Sequence, residues 1–344
     1  MQEALGDKPH RHATDSDIYA VPVGDAYLVY SPLRQAAALI NRSAFGLLAE
    51  QLQKGAGVDR PLAALGPLMD FLADDPVAPN LPSGPIHPAF LGILPTRACN
   101  LSCVYCDFGC DRQASRVMDL DTAMAAVDWM AATVKGQGRQ RVEVHFFGGE
   151  PFVANTVVEA VVHRVRAQCQ RLGLIPHLEV ATNGVFDEKQ AQFVGDYFDT
   201  VVLSFDGPQA IHDRHRPMNR WRGSFSAVEK TARRLGASPT QLCLRVCVAQ
   251  DNVGQMDRIT RWFCESFQPA VINFETLRSN PAAQGAGLHP PDPYAFAAQY
   301  TKAQRIASGY GIRTVYAAAA VERPRYTFCP VGRDAVIASA DGRL

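Results

Sequence analysis

From residue 88 to 310 the chain alternates short apolar runs with amphipathic stretches, and this alternation limits the fold more than any other feature. The runs occupy 90–94, 142–147, 178–182, 201–205, 242–248 and 271–277. Helical spacing follows each of them, over about 121–135, 154–172, 187–197, 223–236, 254–268 and 292–309. Parallel strands need a crossover of a dozen or more residues between them, and a helix supplies it. The pattern therefore predicts an α/β fold with parallel strands, either barrel-like or doubly wound. In both, functional side chains collect where the strands end and the loops converge.

The first four strand ends carry the residues that matter. Cys99, Cys103 and Cys106 follow the first, in the run CNLSCVYC. Gly148-Gly149-Glu150-Pro151 follows the second, Thr182-Asn183-Gly184 the third, and Ser204-Phe205-Asp206-Gly207 the fourth. Thiols, flexible backbone, an amide, a hydroxyl and two carboxylates are thus delivered to one face, which is the pattern of a cofactor site. Soft thiolates select iron-sulfur clusters, zinc or copper(I), so the triplet by itself leaves the metal open. A closed zinc site wants a fourth ligand, for which Cys110 is the candidate. Three thiolates without it leave one metal position free for chemistry.

Composition removes other classes. Lys+Arg and Asp+Glu both number 34, so the formal net charge of zero gives none of the basic footprint of nucleic-acid binders. The N-terminus, MQEALGDKPHRHATDSD, is polar, and no run reaches the ~18 apolar residues of a spanning helix. A cytoplasmic protein with no membrane partner is expected. Cys169, Cys243, Cys247 and Cys264 stand in apolar contexts and read as reduced core residues.

Three regions are expected: 1–80, a small α+β domain; 81–310, the strand-helix domain; and 311–344, a short C-terminal extension. In the first, 19–23 and 26–30 flank Gly24-Asp25 as a hairpin. Leu39, Ile40, Phe45, Leu47, Leu48 and Leu52 then predict helices, with Ser43 as a cap for the second, and a third helix covers 61–73. A proline-rich connector, DDPVAPNLPSGPIHP, marks the boundary.

Cys99-x3-Cys103-x2-Cys106, with Tyr105 before the last cysteine and Gly148-Gly149-Glu150-Pro151 at the next strand end, resembles the radical S-adenosylmethionine (radical SAM) superfamily. The resemblance implies a partial (β/α)6 TIM-like barrel. It also implies a [4Fe–4S] cluster on Cys99, Cys103 and Cys106, whose fourth iron is chelated by the amino and carboxylate groups of S-adenosylmethionine. Gly148, Gly149, Glu150, Asn183, Ser204, Asp206 and Arg216 become candidate cofactor contacts. Glu150 is expected on the amino group, and Ser204 and Asp206 on ribose hydroxyls or the carboxylate. Arg245 is a further candidate for cofactor or substrate. One electron would cleave the sulfonium to a 5'-deoxyadenosyl radical that abstracts hydrogen, with flavodoxin or ferredoxin as donor. Glu275, late in the sixth strand, is the one candidate for a catalytic carboxylate.

The run SFDGPQAIHDRHRP (204–217), then Gly223-Ser224-Phe225, is similar to the peptide- and protein-modifying subgroup that carries a SPASM extension. Twelve residues separate Cys329 from Gly342, a spacing that resembles the opening of such an extension, with Cys329 as a possible auxiliary ligand. The next cysteine of that pattern would fall beyond Leu344, so the extension is expected to be truncated. The N-terminal unit is similar in element order to winged-helix domains that bind leader peptides by strand addition. A maturase acting on a ribosomal peptide or protein is the leading expectation. A sulfatase-maturing type, forming formylglycine from Cys or Ser, is the alternative, although Ala181 stands where that group often has glutamine. From another class, the chain could be a non-catalytic iron-sulfur or zinc scaffold.

Overall fold

The computed structural model describes residues 18–34, 36–54, 87–108, 116–219, 221–319 and 335–342. Contacts divide the chain into two compact units, with the first boundary after Gly84. The helix expected over 61–73, nearly all of the proline-rich connector, Cys110 and Cys329 lie outside the described residues.

The smaller unit begins with the expected hairpin. Strands β1 (Tyr19–Val23) and β2 (Ala26–Ser31) pair antiparallel around Gly24, whose φ of 59° supplies the turn. The next segment departs from expectation: Ala36–Asn41 is a third strand, β3, paired antiparallel with β2. Leu39 and Ile40 had suggested a helix, but exposure here alternates residue by residue, with Leu39 66% exposed. Helix α1 (Arg42–Lys54) follows, and Asn41 rather than Ser43 caps it, its Oδ1 accepting the Ala44 N–H at 2.8 Å. Val29 and Leu48 form the buried centre of this unit.

In the larger unit the six expected strands are β4 (Phe90–Leu94), β5 (Arg141–Phe146), β6 (Ile175–Thr182), β7 (Thr200–Ser204), β8 (Gln241–Val248) and β9 (Val271–Thr276). The principal crossover helices are α2 (Leu120–Gly136), α3 (Asn155–Leu172), α4 (Glu188–Tyr197), α6 (Phe225–Gly236) and α7 (Met256–Phe267), with a short α5 (Gln209–His215) before α6. After β9 come α8 (Pro281–Gly285) and α9 (Pro293–Gly309). Two more strands, β10 (Arg313–Val315) and β11 (Ala335–Ser339), complete an eight-stranded, wholly parallel sheet in the order β10-β9-β8-β7-β6-β5-β4-β11. This parallel sheet with its crossover helices is the α/β architecture that the alternation predicts, and it agrees with the partial TIM-like barrel that the resemblance implies. Residues 335–339, expected to open a separate extension, are instead built into the sheet along β4, from Ala335 beside Phe90 to Ser339 beside Leu94. A five-residue run, apolar except for Ser339, satisfies the free edge of β4 there, which would otherwise present unpaired backbone.

The two faces of the sheet have opposite characters because side chains alternate along a strand. Leu91, Ile93, Val142, Val144, Phe146, Leu178, Val180, Val201, Leu203, Leu244, Val246, Ile272 and Phe274 are fully buried and share one continuous core with the helices. Their sequence neighbours, among them Glu143, His145, Glu179, Cys243, Arg245, Asn273 and Glu275, stand on the opposite face and are half-buried. The apolar face fixes the register, and so decides which polar residues arrive at the strand ends. Among the described residues no helix is long and apolar enough to cross a membrane.

Candidate active site

The loop after β4 carries the three cysteines and is tied down by main chain on two sides. Gly149 and Glu150 donate their N–H groups to Thr96 O at 3.2 Å and Ala98 O at 2.8 Å. On the other side, Ser102 N–H donates to Pro217 O at 2.8 Å and Val104 N–H to His215 O at 3.0 Å. The approach explains the paired glycines. Gly148 has φ of 131°, and a Cβ on Gly149 would collide with Ala98 O and Arg97 O.

The three thiols, with Gly148, Gly149, Asn183, Ser204, Arg216 and Arg245, line one cavity of about 310 Å3. Cys99 Sγ accepts from Leu101 N–H at 3.4 Å and from Asn183 Nδ2 at 3.6 Å. Cys103 Sγ faces Arg216, whose guanidinium donates at 3.9 Å; burial pushes this thiol up to about 11 while the arginine pulls it down. Among the described residues no three His, Cys, Asp or Glu side chains converge on a point that would hold a single metal ion. All three thiols nevertheless line the same cavity, and the adjoining polar strand ends bring further donors to it.

The predicted residues divide into those that reach the cavity and those that stand behind it. Asn183 lines it, its amide held by Asn100 Oδ1 at 2.7 Å and by the Val185 N–H at 2.8 Å. Ser204 lines it too, accepting from Arg245 at 3.2 Å. Arg245 has no carboxylate within ion-pair distance among the described residues, and burial and Arg216 lower its affinity for its proton. A half-buried cation with no direct ion pair, influenced by Glu275 only at longer range, can receive an anionic group.

The carboxylates of Glu150 and Asp206 stand behind the cavity and are bonded to neighbouring protein groups. The Glu150 carboxylate is 1% exposed and turned into the sheet ends, where it accepts from Thr182 Oγ1 at 2.8 Å, Asn183 N–H at 2.7 Å and Phe152 N–H at 3.3 Å. Burial pushes it up to about 7 against the pull of those donors. Asp206 is wholly buried and accepts from Tyr105 Oη at 2.7 Å, Arg216 Nε at 3.0 Å and Cys247 N–H at 2.9 Å. Burial would raise its carboxyl, but Arg216 and His215 hold it well below the usual carboxylate range. Neither carboxylate lines the cavity. Glu275, beside Cys247 in the β8–β9 register, does not line it either.

Sequence reasoning missed the network behind Asp206. His215 is fully buried between Asp206, at 3.4 Å, and Asp251, at 3.1 Å; burial works to lower its imidazole, and the two carboxylates raise it. His212 Nδ1 accepts the Asp206 N–H at 3.3 Å, so its proton sits on Nε2, 3.0 Å from Ser224 Oγ, which in turn donates to Arg216 O at 2.5 Å. The signal was present as two histidines three apart, which share one helix face.

Residues 93–245 match the family model of the Radical SAM superfamily. That match lies within the larger unit, from β4 to β8. Members of that superfamily use a [4Fe–4S] cluster and S-adenosylmethionine, and the thiol-lined cavity offers side chains suited to both. The cysteine-type anaerobic sulfatase-maturating enzyme of Clostridium perfringens (strain 13 / Type A) is 26% identical over 169 residues, 48% of this chain and 46% of that protein. PqqA peptide cyclase of Methylocella silvestris is 26% identical over 183 residues, covering 52% and 46%. The chain thus spans about half the length of the curated relatives it matches. Among solved structures, native anSMEcpe with bound AdoMet and Cp18Cys peptide has a TM-score of 0.53 at 22% identity, over 67% of this chain and 64% of that one. Streptococcus suis SuiB bound to S-adenosylmethionine has a TM-score of 0.54 at 12% identity, over 95% and 80%. These two likenesses show a shared fold.

Proposed function

We propose that this chain is a radical SAM enzyme that modifies a side chain of a peptide or protein, as a maturase of a ribosomally made precursor. The observation that carries the reading is the meeting of three thiols, the Gly148-Gly149 backbone, Asn183, Ser204 and Arg245 around one cavity at the strand ends. When bound, the cluster and S-adenosylmethionine supply one-electron cleavage of a sulfonium and a carbon radical that removes hydrogen from the substrate.

The chain's own residues bind and orient. Cys99, Cys103 and Cys106 hold the cluster, and Gly148 and Gly149 let main chain approach the second ligand closely. Arg245, with Ser204 beside it, receives a carboxylate, and Asn183 offers an amide at the same rim. Glu150 acts from behind, ordering the Thr182-Asn183 turn through its two oxygens. Relatives named for sulfatase maturation and for PqqA cyclisation support a peptide or protein substrate. In the smaller unit β1 and β3 are the edge strands of the described sheet, the geometry to which an extended leader peptide adds. A small reduced protein, flavodoxin or ferredoxin, serves as electron donor.

The test is anaerobic reconstitution with iron and sulfide, chemical reduction, and assay for 5'-deoxyadenosine. Turnover of S-adenosylmethionine that Cys103→Ala abolishes together with the cluster is expected. A fully loaded cluster that forms no 5'-deoxyadenosine would leave a non-catalytic iron-sulfur scaffold. Formylglycine on a Cys- or Ser-containing sulfatase peptide would move the assignment to the sulfatase-maturing type.

A further inference from the structure

We propose that Asp206 is a positioning residue that pins the Arg216 guanidinium against Cys103, and that this buried charge pair sets how readily the cluster accepts an electron. The inference rests on the reading that Cys99, Cys103 and Cys106 hold that cluster.

Arg216 reaches in two directions from one guanidinium. Its Nε donates to Asp206 Oδ2 at 3.0 Å, and its Nη1 points to Cys103 Sγ at 3.9 Å. The cation therefore bridges the carboxylate and the sulfur. Arg216 is 8% exposed and Asp206 not at all, so water screens this arrangement little. A planar guanidinium has only one edge free once Nε is engaged, and the carboxylate decides which way that edge faces.

Asp206 is itself over-determined. Cys247 N–H fixes its Oδ1 to β8 at 2.9 Å, and Tyr105 Oη, from the cysteine loop itself, donates to its Oδ2 at 2.7 Å. The Arg216 guanidinium carbon lies 5.2 Å from the Tyr105 ring centroid, so the same aromatic residue holds both members of the pair. The chain returns through Ser224 Oγ to the Arg216 carbonyl, which fixes the arginine backbone as well. So much support for one side chain is not needed to bind a ligand in the cavity, because Asp206 does not touch the cavity. It is what keeps a positive charge at a constant distance from a cluster sulfur. Reduction adds a negative charge to the cluster, a nearby cation favours that state, and the potentials of such clusters respond to local charge and to hydrogen bonds on the sulfurs.

Potentiometric titration of the reconstituted full chain, read by electron paramagnetic resonance without S-adenosylmethionine, tests this with substitutions of opposite sign. Arg216→Gln removes the cation, and the midpoint should move to a more negative value. Arg216→Lys keeps the charge, and its midpoint should stay closer to wild type than that of the Gln variant. Asp206→Asn retains a hydrogen-bond acceptor for Arg216 but removes the counter-charge, and the midpoint should become more positive. A merely structural role would lower the iron content of the variants without opposing shifts. Equal midpoints in all four proteins at equal iron content, or shifts of one sign for Gln at 216 and Asn at 206, overturn the proposal. Should Asp206→Asn fail to load iron, the Gln and Lys variants decide it, coincident midpoints counting against. Wild-type protein that loads no cluster would instead defeat the reading of the three thiols as ligands.

Discussion

The wall of the cavity formed at the ends of β4 and β5 is held by main-chain hydrogen bonds, whereas the wall formed at the ends of β7 and β8 is held by buried charge. On the first, Gly149 and Glu150 N–H groups grip the carbonyls of Thr96 and Ala98, and the absence of a side chain lets two loops touch. On the second, one carboxylate, Asp206, gathers Tyr105, Arg216, His215 and the Cys247 N–H. Backbone hydrogen bonds fix position and tolerate changes of side chain, except where a Cβ does not fit. A buried ion network fixes position only while every member is present.

The comparison breaks most severely at Asp206. Asp206→Ala leaves Arg216 buried without its counter-ion, and a loss of roughly 3–5 kcal/mol in unfolding free energy is expected from such a half-broken pair. Urea unfolding followed by circular dichroism measures it, and a loss below about 1 kcal/mol would mean that water already solvates this wall. On the main-chain side, Gly149→Ala drives a methyl group into Ala98 O and Arg97 O. Backbone cannot rotate away as a side chain can, so about 3 kcal/mol and most of the bound iron should be lost, judged from overpacking elsewhere. Gly136→Ala, at a site with nothing within 4 Å of the added Cβ, is the control and should change stability by less than about 0.5 kcal/mol.

Acid sharpens the contrast, because only the charged wall contains a group that resists protonation. Burial lowers the His212 imidazole from 6.5 to about 4. A group whose folded-state affinity for protons is depressed gives stability that is complete above about pH 6.5 and is lost as pH falls toward 4. At ~1.4 kcal/mol per unit this amounts to no more than about 3.5 kcal/mol over the window. Denaturation midpoints measured between pH 7 and pH 4 should fall more steeply for wild type than for His212→Asn, whose amide oxygen can still accept the Asp206 N–H. Parallel slopes would show that His212 titrates normally.

How far the sequence revealed the molecule follows the same division. The six strands were legible because a parallel sheet packed by helices demands apolar runs at fixed intervals, and the glycine pair was legible because close backbone approach demands glycine. The cysteine triplet was legible from spacing alone. Strand β3 was not, since Leu39 and Ile40 fit a helical and an alternating pattern over so short a run. Strand β11 was not, because five apolar residues acquire a partner only when the edge of β4 is placed beside them.

Asp206 and Glu150 were recognised as important, but the partners of their carboxylates could not be read from the sequence. Their positions at strand ends could be counted from the sequence, but the partners that turned their carboxylates away from the cavity come from residues 105, 216 and 247 for one and 182 and 183 for the other. By itself the sequence determined the parallel α/β scaffold, the thiol loop and the glycine turn, since each follows from local spacing and from what a backbone can do. Tertiary structure alone decided which polar groups face the cavity and which face one another. A buried carboxylate takes the donors that folding places within reach, and no spacing along the chain specifies those donors before the strands are side by side.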